Sequence, residues 1–90
     1  MDNKELRKHL QQLQDEIKKT SVVDEKGNEL LRNLDGDIHK LLDRSEENPI
    51  QVHPSIVQRL KEARDHFEVT HTNLTERISV LLETLSNLGI

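Results

Sequence analysis

Apolar residues recur three and four positions apart in four separate stretches of the chain, the spacing that lines up side chains on one face of an α-helix. The first stretch, residues 3–20, carries Leu6, Leu10, Leu13 and Ile17. This narrow stripe, two positions in seven, is the pattern of a coiled-coil seam. Asp2 and Glu5 stand at capping-box positions, with Met1 and Leu6 where a hydrophobic staple would close. At Thr20-Ser21-Val22-Val23 two β-branched residues in succession weaken the helix. The second stretch, residues 25–45, carries Leu30, Leu31, Leu34, Ile38, Leu41 and Leu42, a wider stripe that should touch more than one neighbour. Gly27 and Gly36 each cost this helix up to about 1 kcal/mol against Ala. A linker over 46–53 follows, because Pro49 disfavours helical geometry at Asn48.

Pro54 suits the first position of a third helix over 54–69, whose apolar face is Ile56, Val57, Leu60, Ala63 and Phe67. Val69-Thr70-His71-Thr72 reads as a break. Asn73 and Glu76 then form a second capping box for a helix over 73–88, with Leu74, Ile78, Leu81, Leu82, Leu85 and Leu88 on one face. Gly89, with Ile90 meeting Leu85, suits a Schellman close. Strand-like alternation is absent. The expected fold is therefore all-α: antiparallel helical hairpins forming a four-helix or coiled-coil-like bundle, in one domain spanning 1–90.

Composition adds an expectation of self-association. Fourteen Leu, six Ile and six Val stand against one Phe and no Trp or Tyr. A chain of 90 residues holding so little bulky material must hide nearly every aliphatic side chain to stand alone, whereas two copies can cover narrow seams mutually. Symmetric dimers are common, and a homodimer is the expected state. Its seam would be Leu6, Leu10, Leu13, Ile17, Leu31, Leu34, Ile38, Leu41, Leu60, Phe67, Ile78, Leu81, Leu85 and Leu88.

Charge and residue usage exclude several classes. With 13 basic and 17 acidic residues the net charge is −4, and neither half of the chain offers a basic field for phosphate backbones. A nucleic-acid partner is not expected. One aromatic residue supplies no base-stacking platform. No stretch approaches the ~18 apolar residues of a membrane span. The first helix mixes Lys4, Arg7, Lys8, Lys18 and Lys19 with Glu5, Asp15 and Glu16, which makes a poor membrane-surface helix. The absence of Cys removes disulfides, thiolate zinc sites and cysteine nucleophiles. Met1-Asp2-Asn3-Lys4-Glu5 does not resemble a secretory signal, and a cytoplasmic location is expected.

Five histidines are the candidates for acid–base or metal chemistry near neutral pH. His39 has Asp35 and Asp43 four residues to either side, so one helix face could present all three to a divalent ion. His66 and His71 flank Phe67, and His71 could orient the break by bonding a free backbone group. Thr70, Thr72 and Thr75 bring hydroxyls near His71, but a Thr nucleophile needs an activating base in fixed geometry, and capping explains these residues better. His9 and His53 have no informative context. No phosphate-binding glycine loop or paired-histidine zinc motif is present. No enzymatic role and no cofactor are expected.

The stretch Phe67-Glu68-Val69-Thr70-His71-Thr72-Asn73-Leu74-Thr75, with Leu85-Ser86-Asn87-Leu88-Gly89-Ile90 closing the chain, resembles a family of short bacterial proteins catalogued as a domain of unknown function. Those proteins share the opening Leu-rich helix, a Phe-Glu-x-Ser-His-Pro-x-Leu-Thr stretch and a terminal Met-Gly-Ile. Here Thr70 stands in place of the Ser and Thr72 in place of the Pro that would start the last helix. The resemblance implies a bacterial, cytoplasmic, helical protein and transfers no activity. The leading expectation for function is a self-associating helical interaction module, an adaptor or small regulator. Its rival is a small metal-dependent or acid–base enzyme using His39 or His71.

Overall fold

The computed structural model describes residues 3–20, 22–43 and 52–87. Four helices account for nearly all of them: α1 (Asn3–Lys19), α2 (Glu25–Leu42), α3 (Pro54–Phe67) and α4 (Thr72–Asn87). No strand occurs among the described residues, and no helix is long and apolar enough to cross a membrane.

Each expected helix is present, with ends set by local bonding. At the end of α1 the Thr20 hydroxyl turns back to the Glu16 carbonyl at 2.8 Å, and its N–H reaches the Glu16 and Ile17 carbonyls at 3.1 Å, so the last turn's carbonyls find partners. α2 opens with Asp24 as N-cap and ends at Leu42, short of residue 45, where the Asp43 N–H bonds the His39 carbonyl at 3.0 Å. Arg7 donates from Nη1 to the Leu42 carbonyl at 3.1 Å, so α1 supplies one of the partners that the end of α2 lacks. Pro54 occupies the first turn of α3 as expected, and this helix ends at Phe67 rather than at residue 69. α4 begins at Thr72, not Asn73. The His71 carbonyl accepts the Thr75 N–H at 3.0 Å, which starts the helical ladder early and leaves Asn73 inside the first turn. The capping box assigned to Asn73 and Glu76 therefore does not open this helix. The cap at Asp2, the staple at Met1, Pro49 and the linker residues 46–51, Leu88 and the Schellman close at Gly89 and Ile90 lie outside the described residues.

The helices close a ring, with α1 against α2 and α4, and α3 against α2 and α4. Neighbours run antiparallel. Arg7 near the start of α1 meets the end of α2, and His66 near the end of α3 meets Asp24 at the start of α2. The expected seam residues fill the centre: Leu6, Leu10, Leu13, Ile17, Leu31, Leu34, Ile38, Leu41, Leu60, Phe67, Ile78, Leu81 and Leu85 are all buried within one chain. The narrow stripe of α1, the main reason to expect a second copy, is thus covered by neighbours in the same chain. Those side chains are committed to the fold. Leu88, the remaining member, is outside the described residues.

One polar contact enters this apolar packing. Asp37 on α2 is buried, and both its carboxylate oxygens lie 2.7 Å from Nη1 of the half-exposed Arg59 on α3. A carboxylate sheltered from water needs such a partner. The same contact holds the Arg59 guanidinium even further above its ordinary value, because the bonded and charged Asp37 favours the cation.

Candidate functional site: the loop end of the bundle

The α1–α2 and α3–α4 connections meet at one end of the ring, where Phe67 and two of the five histidines also gather. Phe67, the last residue of α3, is 1% exposed and lies over the first turn of α2. That approach requires Gly27. A Cβ there would come within 2.9 Å of Phe67 Cε1 and 2.7 Å of Asp24 Oδ1. The glycine that costs α2 helix propensity makes room for the chain's only phenyl ring.

Histidines flank that ring. His66 meets Phe67 edge-on at 5.0 Å between centroids, and His71 does so at 5.2 Å. From α3, His66 Nε2 donates to Asp24 Oδ1 at 2.9 Å, and the same oxygen accepts the Gly27 N–H at 2.7 Å. Both bonds favour the carboxylate and hold Asp24 below its ordinary value, the His66 bond contributing most.

His71 is tied in more ways. Its N–H bonds the Phe67 carbonyl at 2.9 Å, closing α3, while its own carbonyl begins α4. Nε2 lies 2.6 Å from the Val22 carbonyl, 49 residues away. A carbonyl can only accept, so Nε2 carries the proton, and in the neutral ring Nδ1 is left with a lone pair. That lone pair faces Thr70 Oγ1 at 2.9 Å. The expected role, orienting the break through a backbone group, is what the geometry provides. The group lies in the other loop.

Two open grooves border these residues. One, of about 360 Å³, runs between the end of α1 and the start of α4, bounded by Lys19, Thr20, Val22, Thr70, His71 and Thr72 among others. The second, of about 610 Å³, is floored by Phe67 between Val22, Asp24, His66 and Thr70. Val22 is 81% exposed and Val69 88%, the large apolar side chains that stand out in water among the described residues.

Other candidates fall elsewhere. His39 is exposed on α2, away from the loop end, and among the described residues no three His, Asp or Glu side chains converge closely enough to hold a metal ion. Asp35 and Asp43 thus give His39 no donor set there. His53, without context in the sequence, is the N-cap of α3, its Nδ1 accepting the Ser55 N–H at 3.2 Å. A residue that directly precedes Pro at a helix start was a signal for that role. His9 faces Glu5 at 3.7 Å on α1.

The molecule is thus a small antiparallel four-helix bundle with Asp24, His66, Phe67, Thr70 and His71 at one end. By sequence the chain belongs to the family described as Domain of unknown function (DUF4404), whose model matches residues 6–90. Among curated proteins and among solved structures, nothing matches it.

Proposed function

We propose that this protein is a non-enzymatic helical interaction module that self-associates through the loop end of its bundle. The observation that carries this reading is the pair Val22 and Val69, the large apolar side chains that stand nearly bare to water among the described residues. Both stand on loops held by side-chain bonds, so a partner meets a preformed surface and little ordering cost is added on contact. A second copy is the occupant, because an end face that meets its own copy across a two-fold axis gives a closed, isologous contact.

The contact is weak. The bundle is 22 × 20 Å in its two shorter extents, which leaves an end face smaller than the roughly 800 Å² per partner of a standard interface. Dimer should therefore appear only at high concentration. Sedimentation from micromolar to millimolar protein tests this, with Val22→Lys/Val69→Lys as the variant. The wild type should rise from monomer toward dimer mass across that range, and the variant should remain monomeric with an unchanged melting temperature. A wild type that stays monomeric throughout, or a variant that dimerises equally well, defeats the proposal. Variants of the buried seam, such as Leu13→Asp or Leu34→Asp, test folding instead, since both residues lie inside the chain.

A further inference from the structure

We propose that Thr70 is an acyl-acceptor site, its hydroxyl activated by His71 and aimed at activated esters or thioesters. This goes beyond the interaction reading and does not depend on it. A threonine hydroxyl is a poor nucleophile unless a base, itself oriented by a third group, sits within hydrogen-bond reach. The loop end supplies that arrangement. Thr70 Oγ1 lies 2.9 Å from His71 Nδ1, and His71 Nε2 lies 2.6 Å from the Val22 carbonyl. Because the carbonyl fixes the Nε2–H tautomer, the neutral ring directs its lone pair at the hydroxyl. Packing edge-on against the buried Phe67 further holds the imidazole.

Thr70 is well placed for a reagent to reach it. It is exposed and borders both grooves. Its hydroxyl is engaged with His71 Nδ1. Thr72 and Asn73, the first residues of α4, border the same groove. First-turn amides have no acceptor inside their own helix and favour negative charge near them. An oxyanion formed beside Thr70 would lie near that end of the dipole.

The step balances without a further reactant. Thr70 Oγ attacks the acyl carbon, the Oγ–C bond forms, and the hydroxyl proton passes to His71 Nδ1. The tetrahedral oxyanion then collapses, breaking the bond to the leaving oxygen or sulfur, which departs with its electron pair. The imidazolium returns its proton to the leaving group or to water. The product is an ester on Thr70 beside a neutral His71.

The test uses the full chain at low micromolar concentration with p-nitrophenyl acetate, followed by mass spectrometric mapping of the acetyl group and its sensitivity to hydroxylamine. An O-acetyl ester should form at Thr70 roughly 100-fold or more faster in folded protein than in the same chain unfolded in urea, the scale of a positioned general base. Thr70→Ser should label at the same position, Thr70→Val should not, and His71→Gln should fall toward the unfolded rate while circular dichroism shows its helices intact. Should His71→Gln unfold, the folded-to-urea ratio and the two Thr70 variants still decide. Acetyl found on lysines without Thr70, or Thr70 labelled equally fast in urea or in folded His71→Gln, would overturn the proposal.

Discussion

The two glycines of α2 offer a sharp test of the packing, because the same substitution should act in opposite directions at each. In a helix interior Gly→Ala gains about 0.5–1 kcal/mol, through propensity and a less free unfolded chain. At Gly36 an added Cβ meets nothing within 4 Å, so the gain is unopposed and Gly36→Ala should stabilise by that amount. At Gly27 the Cβ would lie 2.9 and 3.0 Å from Phe67 Cε1 and Cζ. Phe67 is 1% exposed and stands between two imidazoles, so its ring has little room to retreat. Forcing extra volume into a packed site costs typically 1–3 kcal/mol. Asp24 Oδ1 must also swing away from the new methyl, weakening a cap of the kind worth about 1 kcal/mol. Set against the propensity gain, Gly27→Ala should lose about 1–2 kcal/mol. For a domain of this size each kcal/mol moves the melting temperature by roughly 4–8 °C. Thermal and urea unfolding, followed by far-ultraviolet circular dichroism, should therefore find Gly36→Ala above wild type and Gly27→Ala below it. If Gly27→Ala melts as high as Gly36→Ala, the account of Phe67 and Gly27 is wrong.

Other expectations follow from single contacts. Arg59→Met should lower the urea midpoint by leaving the Asp37 carboxylate buried without its partner, and Asp37→Leu combined with Arg59→Met should restore most of it, since replacing a whole pair by apolar side chains is often neutral. His71→Ala should cost about 1–2 kcal/mol by removing the Val22 bond and the edge contact with Phe67, whereas His39→Ala, on an exposed helix face, should stay within about 0.5 kcal/mol of wild type; paired melting curves compare them. Asp24 is depressed in the folded chain, so its contribution is present above its unfolded value near 3.8 and is lost as pH falls through the lower folded value. Stability should therefore drop more steeply below about pH 4 in wild type than in Asp24→Asn, as urea midpoints at each pH would show.

Much of the architecture was legible because the heptad spacing of leucines marks helices independently of what covers them. Spacing alone does not say whose surface does the covering, and α1 illustrates the gap. Its stripe, though narrow, is covered by α2 and α4 of the same chain rather than by a partner copy. Two further features lay on the stripe of α2 and could have been read from it. Asp37 follows Leu34 by three positions and precedes Leu41 by four, so it faces inward and demands a cation from the facing helix. Gly27, three positions before Leu30, likewise faces inward, where a missing side chain implies something large opposite. The loop-end site was only partly visible. Sequence brings His66, Phe67, Thr70 and His71 together, but not Val22 and Asp24, which arrive from the other hairpin through long-range bonds that no local pattern encodes.

The contact of α1 with α4 has a bearing on how the protein fares when damaged. A chain cut before Thr72 would strip cover from the buried faces of both α1 and α3, because α4 packs against the two helices that carry them. Loss of either terminal helix thus dismantles the whole core, and the fragment becomes a greasy, open polypeptide of the kind that proteases and chaperones remove.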